Sequence, residues 1–258
     1  MKMKSCIFLL VLVGVVCATA SAVGVGVKTD NLVNAGRAPQ SLTLMRLLRQ
    51  TIADDNASTQ CPYPGFDSVK DFDLARYISA PWFVQKQIPI QFQPENTLFC
   101  VRAEYIPIDP ANPLNAVNVL NYANRGGVNG PPTGTSGAGG PSAFPGRFIA
   151  NVPNPEDPSK LNVGFALGET ATTPLVGAPY WVVAIDEEAY QWAIITGGAP
   201  TQESGEGKCI SDGGFWFFSR TPVDPESTAV MMEVAEGLGL DTAKLLDVPQ
   251  EGCLYEGA

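Results

Sequence analysis

From residue 82 to residue 219 the chain is a succession of short apolar runs separated by Gly, Pro, Asn and Asp. In the second run the alternation is regular, because Val101, Ala103 and Tyr105 fall on one face of a strand and Arg102 and Glu104 on the other. The predicted strands are residues 82–89, 98–108, 116–123, 147–152, 160–167, 180–185, 190–196 and 215–219. Short strands with little helix between them favour an antiparallel sandwich or barrel.

One clear helix is predicted after the last strand. Residues 224–226, Asp-Pro-Glu, are a favourable helix start, and Val230, Val234 and Leu238 repeat at helical spacing before Gly239. Strands followed by one helix predict an all-β fold, a closed antiparallel up-and-down β-barrel with the C-terminal helix packed outside. The apolar strand faces would line the interior, and an eight-stranded barrel can hold one small ligand.

The first residues are typical of a secretory signal peptide. Lys2 and Lys4 precede the apolar run 7–16, and small residues follow at 18–22. The run is shorter than the ~20 apolar residues that a membrane span requires. We therefore predict a signal peptide at 1–22, whose removal leaves 14 basic against 26 acidic residues.

Residues 23–60 are predicted to be an extension ahead of a main domain at 61–258. Within it, residues 41–53 have the apolar spacing of a short helix, and Asn56 begins an N-glycosylation acceptor. Residues 46–49, Arg-Leu-Leu-Arg, resemble the host-entry motif of water-mould effectors, although a plain helix face explains them as well. The extension could also serve as a plastid transit segment behind the signal peptide.

Composition excludes several classes of function. The chain has no His, so Ser-His-Asp and Cys-His nucleophile pairs and histidine-ligated metal sites are excluded. Lys+Arg number 16 against 26 Asp+Glu, and this acidic balance argues against nucleic-acid binding. We expect no metal, no cofactor and no catalytic residue. Peripheral membrane contact stays open, and the sequence does not set the oligomeric state.

Cysteine usage points to an oxidising compartment. Two of the six cysteines lie in the signal peptide, and the other four are Cys61, Cys100, Cys209 and Cys253. Four cysteines in a secreted chain predict two disulfides, for which three pairings are open.

Four segments, in order along the chain, resemble the lipocalin family of the calycin superfamily. They are 72–77 (Phe-Asp-Leu-Ala-Arg-Tyr) with 82–84 (Trp-Phe-Val), 99–105 (Phe-Cys-Val-Arg-Ala-Glu-Tyr), 180–186 (Tyr-Trp-Val-Val-Ala-Ile-Asp) and 215–222 (Phe-Trp-Phe-Phe-Ser-Arg-Thr-Pro). The resemblance spans residues 61–253 and is closest to the apolipoprotein D and bacterial lipocalin branch. The chain departs from the family's Gly-x-Trp, where it has Ala80, and from its Thr-Asp pair, where it has Ile185.

The resemblance implies structural roles for six residues. Trp82 and Arg220 would stack as a cation–π pair that seals the barrel floor. The closest branch pairs its cysteines as Cys61–Cys209 and Cys100–Cys253 in this numbering.

It also implies a ligand-binding set inside the barrel. Tyr105 and Trp216 match family positions that contact ligand, although plain core packing would explain both aromatics as well. The full set that we expect to line the cavity is Val101, Ala103, Tyr105, Phe144, Trp216 and Phe218.

The connection 125–146 is rich in Gly, Pro and Ser, and we expect it to have no packed structure. In a lipocalin it would lie at the open mouth, either as a lid or as a passive insertion. Phe144 is its one aromatic residue.

The leading functional hypothesis is a secreted, non-enzymatic carrier for a small hydrophobic molecule, such as a fatty acid, sterol, retinoid or carotenoid. An enzyme of the xanthophyll de-epoxidase kind is an alternative, since a fold does not decide function. A secreted effector or interaction protein is a further alternative.

Overall fold

The computed structural model describes residues 60–112, 114–134, 147–168, 170–205 and 207–258, which belong to a compact unit that spans Ala57–Ala258. The predicted signal peptide, the predicted extension with its helix at 41–53, Asn56 and Phe144 lie outside the described residues, so these expectations stay predictions.

Strands are the main regular structure of the described chain. The strands are β1 (Trp82–Gln87), β2 (Phe99–Pro107), β3 (Ala116–Asn124), β4 (Pro132–Gly134), β5 (Arg147–Asn151), β6 (Lys160–Ala166), β7 (Val176–Ile185), β8 (Trp192–Thr196), β9 (Gln202–Gly205), β10 (Lys208–Ile210), β11 (Phe215–Ser219) and β12 (Leu246–Asp247). The α-helices are α1 (Leu74–Tyr77) and α2 (Pro225–Gly237), and short 3-10 turns lie at Glu95–Thr97 and Thr242–Lys244.

Eight of these strands close into a barrel. Strands β1, β2, β3, β5, β6, β7, β8 and β11 pair antiparallel in that order, and β11 returns to pair with β1. The predicted eight-stranded antiparallel barrel is therefore confirmed. The C-terminal ends of β1, β3, β6 and β8 lie at one end of the barrel, which we call the mouth. The opposite end, beside α1, is the floor.

Strand β7 begins at Val176, earlier than predicted, because residues 176–179 include Gly177 and Pro179 and look like a turn in the sequence. Pairing with β6 holds them extended, with Val176 opposite Phe165. The sequence pattern likewise missed β4, β9, β10 and β12, which are two to four residues long.

The two faces of β11 bury different cores. Trp216 and Phe218 face the barrel interior, whereas Phe215 and Phe217 face outward and pack with Met231 of α2. The helix begins where predicted, because the Asp224 carboxylate accepts a hydrogen bond of 2.9 Å from the backbone N–H of Ser227. The predicted position of α2 outside the barrel is confirmed.

The C-terminal segment fills a gap between β1 and β2. Residues 82–83 of β1 pair with β2, but residues 86–87 pair with β12 instead. Farther along, the buried Gln250 amide donates to the carbonyl oxygens of Val84 at 2.7 Å and Val101 at 2.8 Å. This side chain therefore links two strands that diverge.

Two disulfides hold the N-terminal end of the domain to β10 and its C-terminal end to the start of β2. Cys61 is bonded to Cys209, and Cys100 is bonded to Cys253, with Cα–Cα distances of 5.6 Å in both. This is the pairing that the family resemblance implies. The second bond fixes the C-terminal segment beside β2, where the Cys100 N–H also donates to the carbonyl oxygen of Pro249 at 2.9 Å.

The expectation that the connection 125–146 has no packed structure is wrong for its first part. β4 pairs with β3, and the Asn129 amide donates to the carbonyl oxygen of Gly252 and accepts from the N–H of Leu254, both at 2.9 Å. Backbone pairing orders a segment whose one aliphatic side chain, apart from proline, is Val128. Residues 135–146 lie outside the described residues.

Within the described part of the chain, no helix has both the length and the apolar character needed to cross a membrane. The same residues contain no group of three or more His, Cys, Asp or Glu side chains placed to hold a metal ion.

Candidate functional site

The barrel floor is closed by α1 and by an arginine. Helix α1 begins after Asp73, whose carboxylate accepts from the Arg76 N–H at 3.0 Å, and it inserts the ring of Tyr77 into the barrel. The Arg220 guanidinium lies 3.5 Å from the centroid of the Trp82 ring. The Trp82 indole is fully buried and donates to the carbonyl oxygen of Tyr77 at 2.9 Å.

All five N–H groups of Arg220 point to backbone carbonyl oxygens. The acceptors are Arg76, Tyr77, Ala80, Pro81 and Tyr190. Burial lowers the pKa of Arg220 to about 10, so the group stays charged at neutral pH. Arg220 thus joins α1, the turn before β1 and the β7–β8 turn, which is a structural role.

Above the floor, the predicted inner-face residues form a packed lower layer. Val101, Ala103, Tyr105 and Phe218 all face inward and are at most 5% exposed. The alternation read from the sequence therefore places these side chains on the inner face.

Three tyrosine hydroxyls meet inside this layer. The Tyr180 hydroxyl lies 2.6 Å from that of Tyr77 and 2.8 Å from that of Tyr105. Burial raises the pKa of Tyr105 to about 12 and raises the pKa values of Tyr77 and Tyr180 well above the ordinary value. All three phenols are therefore neutral at pH 7 and able to donate.

Several inward side chains toward the mouth are less buried than those of the lower layer. Phe148, Val163, Tyr180 and Trp216 face inward but are only half-buried. Val176, opposite Phe165 at the rim, is 77% exposed. The less buried part of the inner face therefore lies toward the mouth. Tyr180 belongs to both parts, because its ring is half-buried and its hydroxyl lies with those of Tyr77 and Tyr105. The Tyr180 and Trp216 rings stack with centroids 6.4 Å apart.

Two polar residues on the inner face were missed by the sequence pattern. Gln87 is fully buried opposite Trp216, and its side-chain oxygen has no hydrogen-bond partner. A bulge between Val84 and Lys86 turns it inward, and strict alternation along β1 cannot reveal this. Asn121 lies opposite Ala103 and is half-buried. Its inward position follows from the alternation of β3 and could have been found.

Two surface concavities lie at the closed end, outside the barrel. One of about 540 Å³ lies beside Arg76, Tyr190 and Arg220. The other, of about 330 Å³, lies beside Phe72, Leu114 and Val152. Neither includes a residue that the sequence predicts to bind ligand.

Comparisons with known proteins agree with this architecture. The chain matches the family model described as a lipocalin-like domain over residues 72–250. A search of curated proteins gives no match.

Solved structures that resemble the chain share little sequence with it. Insecticyanin from the tobacco hornworm Manduca sexta is 18% identical, with 75% of this chain and 88% of that chain covered and a TM-score of 0.50. Lobster apocrustacyanin A1 is 14% identical, with 78% and 97% covered and a TM-score of 0.46. At such identities, likeness to insecticyanin shows the fold alone. The family match over most of the barrel domain shows that this chain belongs to the lipocalin-like family.

Proposed function

We propose that this protein is a secreted carrier that binds one small hydrophobic molecule in the mouth half of its barrel. The observation that carries the proposal is the half-exposed set of inward apolar residues, Phe148, Val163, Tyr180 and Trp216, above a sealed floor. When an apolar ligand covers these side chains, the apolar surface of the ligand and the apolar surface of the side chains are both removed from water.

The energy of such burial suits a reversible carrier. A ligand that buries ~300 Å² of apolar surface gains ~7 kcal/mol before the entropy costs of binding. Val101, Ala103, Tyr105 and Phe218 would form the bottom of the binding cup and Trp216 its wall. Phe144 stays a predicted ligand contact.

Two features support secretion. The predicted signal peptide at 1–22 would direct the chain out of the cytosol, and the disulfides Cys61–Cys209 and Cys100–Cys253 are of the kind that persist in oxidising compartments. The proposal assigns no catalytic residue. No Asp or Glu side chain of the described residues lies on the inner face, and the chain has no His.

The test is ligand binding followed by tryptophan fluorescence. A retinoid or a fluorescent fatty acid should quench Trp216 on binding, and Trp216→Ala should weaken binding at least several-fold. Trp181→Ala is the matched control, because Trp181 faces outward, where Lys160 lies 4.6 Å from its ring centroid. Mass spectrometry of lipid extracted from the native protein would identify the ligand class.

Two results would overturn the carrier. One is equal affinity in the wild type and in Trp216→Ala, with Trp181→Ala also unchanged, which would make Trp216 a packing residue. The other is turnover of an epoxy-carotenoid into product, which would favour the enzyme alternative.

A further inference from the structure

The most exposed apolar side chains of the described residues lie at the mouth of the barrel. Five of them are exposed by 62–77%, whereas the other large apolar side chains of the described residues are at most 53% exposed; the five are Phe92, Leu167, Leu175, Val176 and Leu254. Phe92 follows β1, Leu167 follows β6 and Val176 begins β7, which places them at the mouth. Single exposed apolar residues are normal on a protein surface, but their concentration at one end marks an interaction surface.

The β1–β2 connection presents Phe92 at the tip of a tight turn. The backbone N–H of Ile90 donates to the carbonyl oxygen of Gln93 at 3.1 Å, and the N–H of Gln93 donates to the carbonyl oxygen of Ile90 at 3.0 Å. The Gln87 amide also donates to the side-chain oxygen of Gln93 at 3.1 Å. These contacts leave Gln91 and Phe92 at the tip, so a hydrogen-bonded backbone holds the phenyl ring in solvent.

Backbone contacts also hold the other exposed apolar residues in place. Val176 pairs with Phe165, and the N–H of Leu175 donates to the carbonyl oxygen of Phe165 at 2.7 Å. Leu254 lies beside the β3–β4 turn, because its N–H donates to the side-chain oxygen of Asn129 at 2.9 Å. Three separate segments at the mouth therefore present apolar side chains to solvent from a hydrogen-bonded backbone.

The charges of the domain determine which kind of lipid surface could bind here. Residues 61–258 contain 10 Lys and Arg against 23 Asp and Glu. Residues 88–94, Ile-Pro-Ile-Gln-Phe-Gln-Pro, carry no charge, and residues 167–179 carry only that of Glu169. An anionic membrane would therefore repel the domain, whereas a zwitterionic lipid surface would take up the apolar side chains without a charge to oppose them.

A lipid surface fits these side chains better than a protein partner does. A stable protein interface buries roughly 800 Å² on each partner in a contiguous, complementary patch. Phe92, Leu175 and Leu254 lie on different segments, and residues 88–94 provide no charge to orient a partner. Fluid lipid adapts to separate side chains and needs no such complementarity.

We propose that the mouth of the barrel docks on a zwitterionic lipid surface, with Phe92, Leu175 and Val176 inserted at the boundary between head groups and acyl chains. The end of the barrel at which a hydrophobic ligand enters then faces the lipid, so the ligand passes between bilayer and carrier with little exposure to water. This inference rests on the proposed carrier function and names the partner from which the carrier takes its ligand.

The test is flotation of the mature protein with phosphatidylcholine vesicles. Phe92→Ser and Leu175→Ser should each weaken vesicle binding by roughly 3- to 10-fold, because each removes a large apolar side chain from the lipid contact. Leu114→Ser is the matched control, since Leu114 is exposed on the β2–β3 connection at the floor. Vesicles in which about a third of the lipid is phosphatidylserine should bind the protein less tightly, because their surface is negative.

Transfer kinetics connect the lipid contact to the carrier. The rate at which a fluorescent fatty acid passes from phosphatidylcholine vesicles to the protein should rise with vesicle concentration. This rate should fall in Phe92→Ser and Leu175→Ser, whereas the affinity of both variants for the free fatty acid should match that of the wild type.

The outcomes separate the docking surface from the carrier. A wild type that does not float, equal flotation of Leu175→Ser and Leu114→Ser, or tighter binding to the phosphatidylserine vesicles would overturn the docking surface and leave the carrier standing. Dimers in gel filtration that Phe92→Ser dissociates would overturn it in favour of a second copy of this chain. Vesicle binding without any binding of free fatty acid or retinoid would overturn the carrier and keep the lipid contact.

Discussion

Replacing Arg220 by alanine removes the contact that holds the barrel floor together. The variant loses the cation–π contact with Trp82 and five hydrogen bonds to backbone carbonyl oxygens. The Tyr77 carbonyl keeps the Trp82 indole N–H as a donor, and carbonyls at the surface can turn to water. Counting ~1 kcal/mol for the cation–π contact and ~2 kcal/mol for the remaining hydrogen bonds, we expect a loss of about 3 kcal/mol.

For a domain of this size, each 1 kcal/mol shifts the midpoint of thermal unfolding by about 2–4 °C. Arg220→Ala should therefore lower Tm by roughly 6–12 °C, measured by circular dichroism and by tryptophan fluorescence. Arg220→Lys keeps a charge but cannot reach five carbonyls with one ammonium group, so it should recover only part of the loss.

Arg76→Ala is the matched control at the same end of the barrel. Arg76 is exposed, lies 4.1 Å from the Tyr190 ring centroid and donates to the carbonyl oxygen of Glu188 at 2.8 Å. Its removal should cost less than about 1 kcal/mol. Equal losses in Arg76→Ala and Arg220→Ala, or a Tm for Arg220→Ala within about 2 °C of the wild type, would refute the assignment of Arg220 as the floor seal.

Three further predictions concern stability. The mature protein, without the predicted signal peptide that contains Cys6 and Cys17, should show no free thiol by reagent titration when it is unfolded without reductant; two or four reactive thiols in that titration would contradict this. Replacing Cys100 and Cys253 by serine should lower stability by about 4–5 kcal/mol on the chain-entropy estimate. Gln250→Ala leaves two strand carbonyls without their donor and should cost about 2–3 kcal/mol in urea unfolding, whereas a change below about 0.5 kcal/mol would mean that water replaces the amide. Hydrogen bonds from Lys160 and Lys70 hold the pKa of Asp67 well below its ordinary value of 3.8. The ionised carboxylate therefore stabilises the fold at pH values above 3.8, and this stabilisation is lost as the pH falls below 3.8. Asp67→Asn should therefore lose about 0.5–1 kcal/mol at pH 7 and a shrinking amount below pH 4, and a pH-independent difference would contradict the ion pair.

Local patterns determined the fold class and the sides of the strands. Alternation along β2 is enough to place Val101, Ala103 and Tyr105 on one face, because successive side chains of a strand point to opposite sides. The start of α2 was also readable, since Asp224 caps the helix with a contact three residues away. Such signals depend on neighbours in the chain, and the sequence contains them directly.

The candidate site depended on contacts between distant residues. Tyr180 lies 103 residues from Tyr77 and 75 from Tyr105, so only closure of the barrel brings their hydroxyls together. Gln87 faces inward because of a bulge that follows from the pairing of β1 with β11, not from its own alternation.

The cysteine pairing and the position of the C-terminal segment between β1 and β2 also depend on contacts between distant residues. Cysteine count alone left three pairings open, and the family resemblance, not the residues, selected Cys61–Cys209 and Cys100–Cys253. The sequence did not indicate that Gln250 lies between β1 and β2. The strand that precedes it, β12, has only two residues, which is too short for an alternation pattern. The sequence by itself therefore determined the fold class and, where alternation is regular as in β2, which side chains enter the barrel. The tertiary structure decided which of them meet, because register, bulges and strand closure arise from pairing between segments far apart in the chain.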